Sequence, residues 1–258
     1  TLKDLKVLNI FRANISDISA LSGLTNLQEL NVGATSVSNV SSLSNLTAMQ
    51  RLSLMNTPVS DISALAGLSE LQSLILSGTD VSDVTPLGDL TKLKELVLAG
   101  TSVSDITGLT GLTAMRDLSL MGTAVSDIQV LSEFHALEDL NLDRTGVTDL
   151  SALSDLKGLN RLMISQTNVS DISALSSLEN IKVLDLSKTK IKDISVLENL
   201  DKLKEVNLSG TEVTDITPLS SIQSLKIVKL DNTAISDLSP LSGLSRLDTG
   251  PYNTVIWK

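Results

Sequence analysis

The sequence predicts an α/β repeat solenoid, with a parallel β-sheet along one side and short 3₁₀ or turn segments along the other. Three observations carry that reading. One slot, followed in every copy by Ile, Val or Leu, recurs at Asp17, Asn39, Asp61, Asp83, Asp105, Asp127, Asp149, Asp171, Asp193, Asp215 and Asp237. Every step is 22 residues, without insertion or deletion, and a fixed period of this size marks a solenoid whose units touch only their neighbours. Seven columns of the unit are apolar in all eleven copies. One stretch of each unit alternates outward and inward residues with the period of a strand.

Each element follows from its column. Numbered from its first leucine, the fourth unit begins at Leu71, and positions 1, 4, 6, 11, 14, 17 and 20 are Leu71, Leu74, Leu76, Val81, Val84, Leu87 and Leu90. Burying one such side chain contributes roughly 1.5–3 kcal/mol, offset largely by chain entropy. A single coil cannot close its own core, so stability comes from stacking. Positions 3–7 read Ser73-Leu74-Ile75-Leu76-Ser77, a short strand with one buried face. Strands one unit apart pair in parallel at about 4.8 Å, which gives eleven units a sheet about 50 Å long. Position 13, the Asp slot, is suited to cap the free N–H groups of a following 3₁₀ or α turn. Pro86, Pro218 and Pro240 share one column inside that turn, where a fixed φ suits a tight helical turn better than a strand.

The unit LxxLxLxx(T)xVxDIxxLxxLxx resembles the leucine-rich repeats of bacterial internalins, which also run 22 residues with a D-I-x-P-L segment. The resemblance covers residues 2–247. It implies a leucine-rich-repeat horseshoe, with the parallel sheet on the concave side and 3₁₀ turns on the convex side. It also implies a bacterial surface or secreted protein that binds host proteins, usually through the concave face. One column departs from the family. Internalins usually carry Asn at position 9, bonded to backbone groups of adjacent coils. Here position 9 is Ala13 and then threonine, from Thr35 through Thr79 and Thr145 to Thr233. A hydroxyl offers fewer contacts than a carboxamide, so the expectation is a buried hydroxyl ladder with tighter local packing.

The expected domain organisation is one solenoid over residues 1–246, followed at 247–258 by a capping strand or the start of a further domain. The pattern fails where Gly250 takes a leucine position, and the tail carries Tyr252 and Trp257, the single Tyr and Trp of the chain. No capping segment precedes Leu2 in this sequence, so end-to-end self-association through open ends is a further expectation.

Composition excludes several kinds of chemistry. A net charge of −10 and a pI near 4.6 argue against a nucleic-acid partner. No apolar run approaches the roughly 18–20 residues of a membrane span, so no membrane insertion is expected. Without cysteine there is no disulfide, thiolate metal site or cysteine nucleophile. The single histidine, His135, cannot by itself build a usual zinc site or a Ser-His pair. One carboxylate per coil does not supply the about six to eight converging oxygens that calcium takes. The expectation is a non-enzyme with no catalytic residue, cofactor or metal.

Binding is the remaining chemistry. The outward positions 3, 5, 7 and 8 of the sheet vary between units, and specificity can be written there. Phe11 and Arg12 stand at one end; Met55, Ile75, Val97 and Met121 form an apolar strip; Asp117, Asp139, Asp143, Arg144, Arg161 and Met163 border it with mixed charge. These twelve are the expected contacts to a protein or peptide ligand. The function expected from them is adhesion or partner recognition, extracellular or at the bacterial surface. The alternative is a structural or self-assembling repeat scaffold, natural or consensus-engineered.

Overall fold

The computed structural model describes residues 2–247. The expected C-terminal cap, with Tyr252 and Trp257, therefore lies outside the described residues except for Leu247. The chain divides into two compact units, residues 1–125 and 126–258.

In the first unit, strands β1 (Val7–Asn9), β2 (Glu29–Asn31), β3 (Arg51–Ser53), β4 (Ser73–Ile75), β5 (Glu95–Val97) and β6 (Asp117–Ser119) pair in parallel, in sequence order. In the second, β7 (Asp139–Asn141), β8 (Arg161–Met163), β9 (Val183–Asp185), β10 (Glu205–Asn207) and β11 (Ile227–Lys229) do the same. The register always joins a residue to the one 22 further on, as in Leu74↔Leu96 and Leu162↔Leu184. Each connection between successive strands of a unit carries a 3₁₀ segment, for example Ser63–Leu65 and Thr85–Leu87 in the first unit and Ser173–Ser177 and Thr217–Ser221 in the second. No α-helix occurs among the described residues.

The strands are three residues long, shorter than the five-residue alternation suggests, and the reason is local. Position 8 of every coil has a positive φ: Arg12, Ala34, Asn56, Gly78, Gly100, Gly122, Arg144, Gln166, Lys188, Gly210 and Asn232 all lie between 53° and 69°. That left-handed residue turns the chain out of the sheet directly after the strand. Inter-coil bonding nevertheless continues past the strand ends, as in Val32 N–H to the Ser53 carbonyl (3.0 Å) and Ala34 N–H to the Met55 carbonyl (2.7 Å).

The core lies inside each coil, between strand and turn, and the seven apolar columns fill it. Leu71, Leu74, Leu76, Val81, Leu87 and Leu90 are at most 1% exposed. The threonine column is buried as well from Thr35 to Thr211, but its bonds do not run from coil to coil. Each hydroxyl donates to the carbonyl three residues earlier in its own coil, as Thr79 does to Leu76 (2.7 Å) and Thr145 to Leu142 (2.7 Å). The same carbonyl accepts the threonine N–H (3.2 and 3.3 Å). The short side chain thus satisfies the bend beside the left-handed residue instead of bridging to a neighbour. No buried side-chain polar atom among the described residues lacks a partner, as a packed interior requires.

The Asp slot works as read, one residue earlier than a usual N-cap. Oδ1 of Asp17, Asp61, Asp83 and their equivalents, Asn39 included, accepts the N–H of the first 3₁₀ residue two positions on, at 2.7–2.9 Å. Pro86, Pro218 and Pro240 each occupy the second residue of a 3₁₀ turn.

Candidate binding surface

On the sheet face of residues 1–125, β-sheet register places Ile75 directly beside Val97, with Ser53 and Ser119 on either side. Both side chains are half-buried on an outward column. Met55 and Met121 leave the sheet two residues past β3 and β6, and between them the same column holds only Ser77 and Ala99. Met121 is 38% exposed. The four apolar residues therefore form a saddle with small side chains in its middle. Asp117 is paired in register with Glu95 and is exposed.

Phe11 and Arg12 form a separate group on the first coil. Asn9 Oδ1 accepts the Phe11 N–H (3.0 Å), and the Arg12 guanidinium lies 5.2 Å from the centre of the Phe11 ring. A side chain on Gly33 would meet the ring edge at 3.1 Å, so the glycine leaves room for Phe11 to lie over the next coil.

The structure adds residues that the sequence reading missed. A depression of about 280 Å³ opens over β1–β4, lined on its outer surface by Val7, Asn9, Glu29, Asn31, Arg51 and Ser53, with Ser73 and Ile75 at its edge. Of the expected contacts only Ile75 takes part. Arg51 Nη2 and Glu29 Oε1 close an ion pair at 2.7 Å across β2 and β3, and Ser73 Oγ donates to Glu95 Oε2 (2.6 Å). The signal available in the sequence was opposite charges exactly one repeat apart in position 3, which parallel register sets side by side.

The sheet face over β7–β11 is mostly polar, with Met163, Val183 and Ile227 as its apolar strand residues. Arg161 Nε lies 3.8 Å from Asp139 Oδ1 in the same position-3 column. Asp143 Oδ1 accepts the Ser165 N–H (2.6 Å), Ser187 Oγ donates to Ser165 Oγ (2.9 Å), and Asn207 Nδ2 donates to Asp185 Oδ2 (3.1 Å). Burial pushes the Asp143 carboxyl above its ordinary value, aided by Asp185 and opposed by the Ser165 N–H and by Arg144 and Arg161. Arg144 is exposed, and Met163 is half-buried between Asn141 and Asp185. Asp139 and Arg161 thus meet. Asp143 is tied into a hydrogen-bonded ladder instead of standing free for a ligand.

No group of three or more His, Cys, Asp or Glu among the described residues could hold a metal ion. His135 is exposed. No described helix is long and apolar enough to cross a membrane.

Comparison with known proteins agrees with this architecture. A family model for leucine-rich repeats in two copies matches residues 179–221 and 201–243. An internalin of Listeria monocytogenes, InlF, is 32% identical, with a TM-score of 0.81 over 96% of this chain and 80% of its own. The chain belongs to the internalin-like leucine-rich-repeat family. Internalin C2 of the same organism is 30% identical over 79% of this chain and 80% of its own, with a TM-score of 0.59. The functional domain of Listeria monocytogenes InlJ, which includes a cysteine ladder, shares the fold at 21% identity and a TM-score of 0.79. This internalin-like chain covers 95% of its own length and 53% of that domain's in the match, and it contains no cysteine. A comparison with curated proteins finds no match.

Proposed function

We propose that this internalin-like chain is a non-enzymatic recognition module of a bacterial surface or secreted protein, and that it holds a protein or peptide ligand on the sheet face of residues 1–125. The observation that carries the reading is where apolar surface is left open. Four large hydrophobic residues are exposed among the described residues, and three of them, Val7 (55%), Phe11 (40%) and Met121 (38%), lie on that one face. Ile75 and Val97 lie beside Met121 in the saddle of coils four to six, and the depression over β1–β4, lined by both Val7 and Ile75, lies between that saddle and the separate group on the first coil. Exposed neighbouring apolar groups rimmed by polar ones mark interaction sites, and the Glu29–Arg51 pair supplies such a rim. Adhesion or partner recognition outside the cell is the role that fits a module of this kind.

The test uses peptides selected from a displayed random library against the intact chain, with affinities measured by titration. Ile75→Lys together with Val97→Lys is expected to weaken the selected peptides by about a hundredfold, since apolar anchors carry most interface energy. The melting temperature should stay within about 2 °C, because outward substitutions away from the core cost little. Unchanged peptide affinity in the double variant would overturn the assignment of this face.

A further inference from the structure

We propose that Lys182, Lys204 and Lys226, with Lys202 and Arg246 beside them, form a second docking surface that takes an acidic segment of a protein partner. This goes beyond the apolar face of residues 1–125 and does not depend on it.

The three lysines occupy position 2 of successive coils, immediately before β9, β10 and β11. Their backbones are stacked: the Lys204 N–H donates to the Lys182 carbonyl (2.8 Å) and the Lys226 N–H to the Lys204 carbonyl (2.8 Å). Parallel neighbours at this register are about 4.8 Å apart, and like charges directly opposite one another destabilise a sheet. Position 22 adds Lys202 and Arg246 on the same edge. All five are exposed.

The fold does not ask for these cations. In residues 1–125 the same column reads Lys6, Gln28, Gln50, Gln72, Lys94 and Arg116, and its three glutamines make the same backbone bonds, Gln50 N–H to the Gln28 carbonyl (2.7 Å) and Gln72 N–H to the Gln50 carbonyl (2.8 Å). A neutral amide therefore serves the coil equally well. Nor are the charges neutralised within the molecule. Arg51, Lys92 and Lys192 pair with Glu29, Glu70 and Glu212. None of the five cations of this edge forms an ion pair among the described residues, although Glu205 and Asp201 flank them in sequence. Lys202 Nζ donates only to Asn180 Oδ1 (2.7 Å). A stack of unpaired lysines in a chain of net charge −10 is an electrostatic cost that an anionic partner removes.

The chemistry of the patch favours carboxylates. Four of the five cations are lysines, flexible point charges suited to single carboxylate oxygens, whereas bidentate phosphate recognition favours arginine. The patch extends over only a few coils, so a short acidic stretch of polypeptide covers it. A long polyanion would run beyond it onto an acidic protein.

The probe is a fluorescent oligoglutamate of about ten residues, long enough as an extended strand to span the column. Its affinity for the intact chain is measured by anisotropy against an oligoglutamine control. Oligoglutamate is expected to bind, to weaken between about 0.05 M and about 0.2 M salt, and to lose about tenfold in affinity in Lys182→Gln/Lys204→Gln/Lys226→Gln. That variant is expected to melt no lower than the parent. The proposal is overturned if oligoglutamate fails to bind, if the triple variant binds it equally, or if oligothymidylate binds more tightly than oligoglutamate. A lower melting temperature in the triple variant would also overturn it, by assigning the lysines a structural role. The Ile75→Lys/Val97→Lys variant should retain oligoglutamate binding, so loss of either surface is read separately from loss of the other.

Discussion

The sheet faces of residues 1–125 and 126–258 rest on coils of the same length, with the same buried columns and the same left-handed residue after each strand. Their chemistry nevertheless differs at positions 7 and 8. In coils four to six, positions 7 and 8 read Ser77-Gly78, Ala99-Gly100 and Met121-Gly122, which leaves an open apolar saddle. In coils seven to nine the same positions read Asp143-Arg144, Ser165-Gln166 and Ser187-Lys188, and the side chains bond to one another and to the backbone. The difference teaches that the scaffold constrains the inward half of each coil and the bend, while the outward half is free to vary. One face leaves apolar side chains open, and the other ties polar side chains to one another and presents charge at its edge.

The largest expected effect tests the shared half of that comparison. Leu74→Ala in one unit and Leu162→Ala in the other, both fully buried, should each cost about 2–5 kcal/mol by urea unfolding. The two costs should agree within about 1 kcal/mol. A clearly smaller cost in either unit would mean that the two cores are not equivalent.

A smaller effect tests the bend. Gly100 has φ of +68° and open space around a Cβ, so Gly100→Gln should destabilise by about 1 kcal/mol of backbone strain, less the entropy that glycine loses on folding. Gln166→Gly, at φ of 58°, should stabilise by a similar amount, about 1 kcal/mol less the entropy glycine loses on folding. Equal effects of both signs would show that residues 126–258 accept strain at position 8 in order to carry long polar side chains. No gain at Gln166 would show that the side chain itself compensates.

The smallest effect is in pH dependence, where two aspartates should act in opposite directions. The Asp83 carboxyl is held below its ordinary value by the Thr85 N–H and then the Thr85 hydroxyl, against desolvation and Asp105. Its stabilisation is present above the unfolded carboxylate value and is lost as pH falls through the lower folded one. Asp83→Asn keeps the acceptor, as Asn39 does naturally, and should flatten the loss of stability in acid. Asp143 is raised, so its contribution is present below the unfolded value and is lost as pH rises through the folded one. Asp143→Asn should therefore stabilise the protein near neutral pH and make no difference in acid. Melting curves of both variants across pH check the signs.

Much of the fold was legible in residue columns, because a 22-residue period repeated eleven times leaves one way to bury seven apolar positions per coil. The position-13 carboxylate and the proline column declared the 3₁₀ turns for the same reason, since their chemistry is local. The proposed binding surface was legible only in part. Ile75 and Val97 could be placed side by side by period, but the depression over β1–β4 depends on how Glu29, Arg51 and Ser73 lean, which periodicity does not encode. Asp143 read as a free border charge, and the coil-to-coil bond to Ser165 that occupies it appears only in three dimensions.

By itself, then, the sequence determined the coil, its core, the parallel register and the capped turns. Those follow from burial and from hydrogen bonds within or between adjacent repeats. The tertiary structure decided the three-residue length of the strands, the direction of the threonine bonds, and which outward residues are open and which are tied down. Each of those depends on distances between side chains and on a backbone angle that sits behind glycine in only four of the eleven coils.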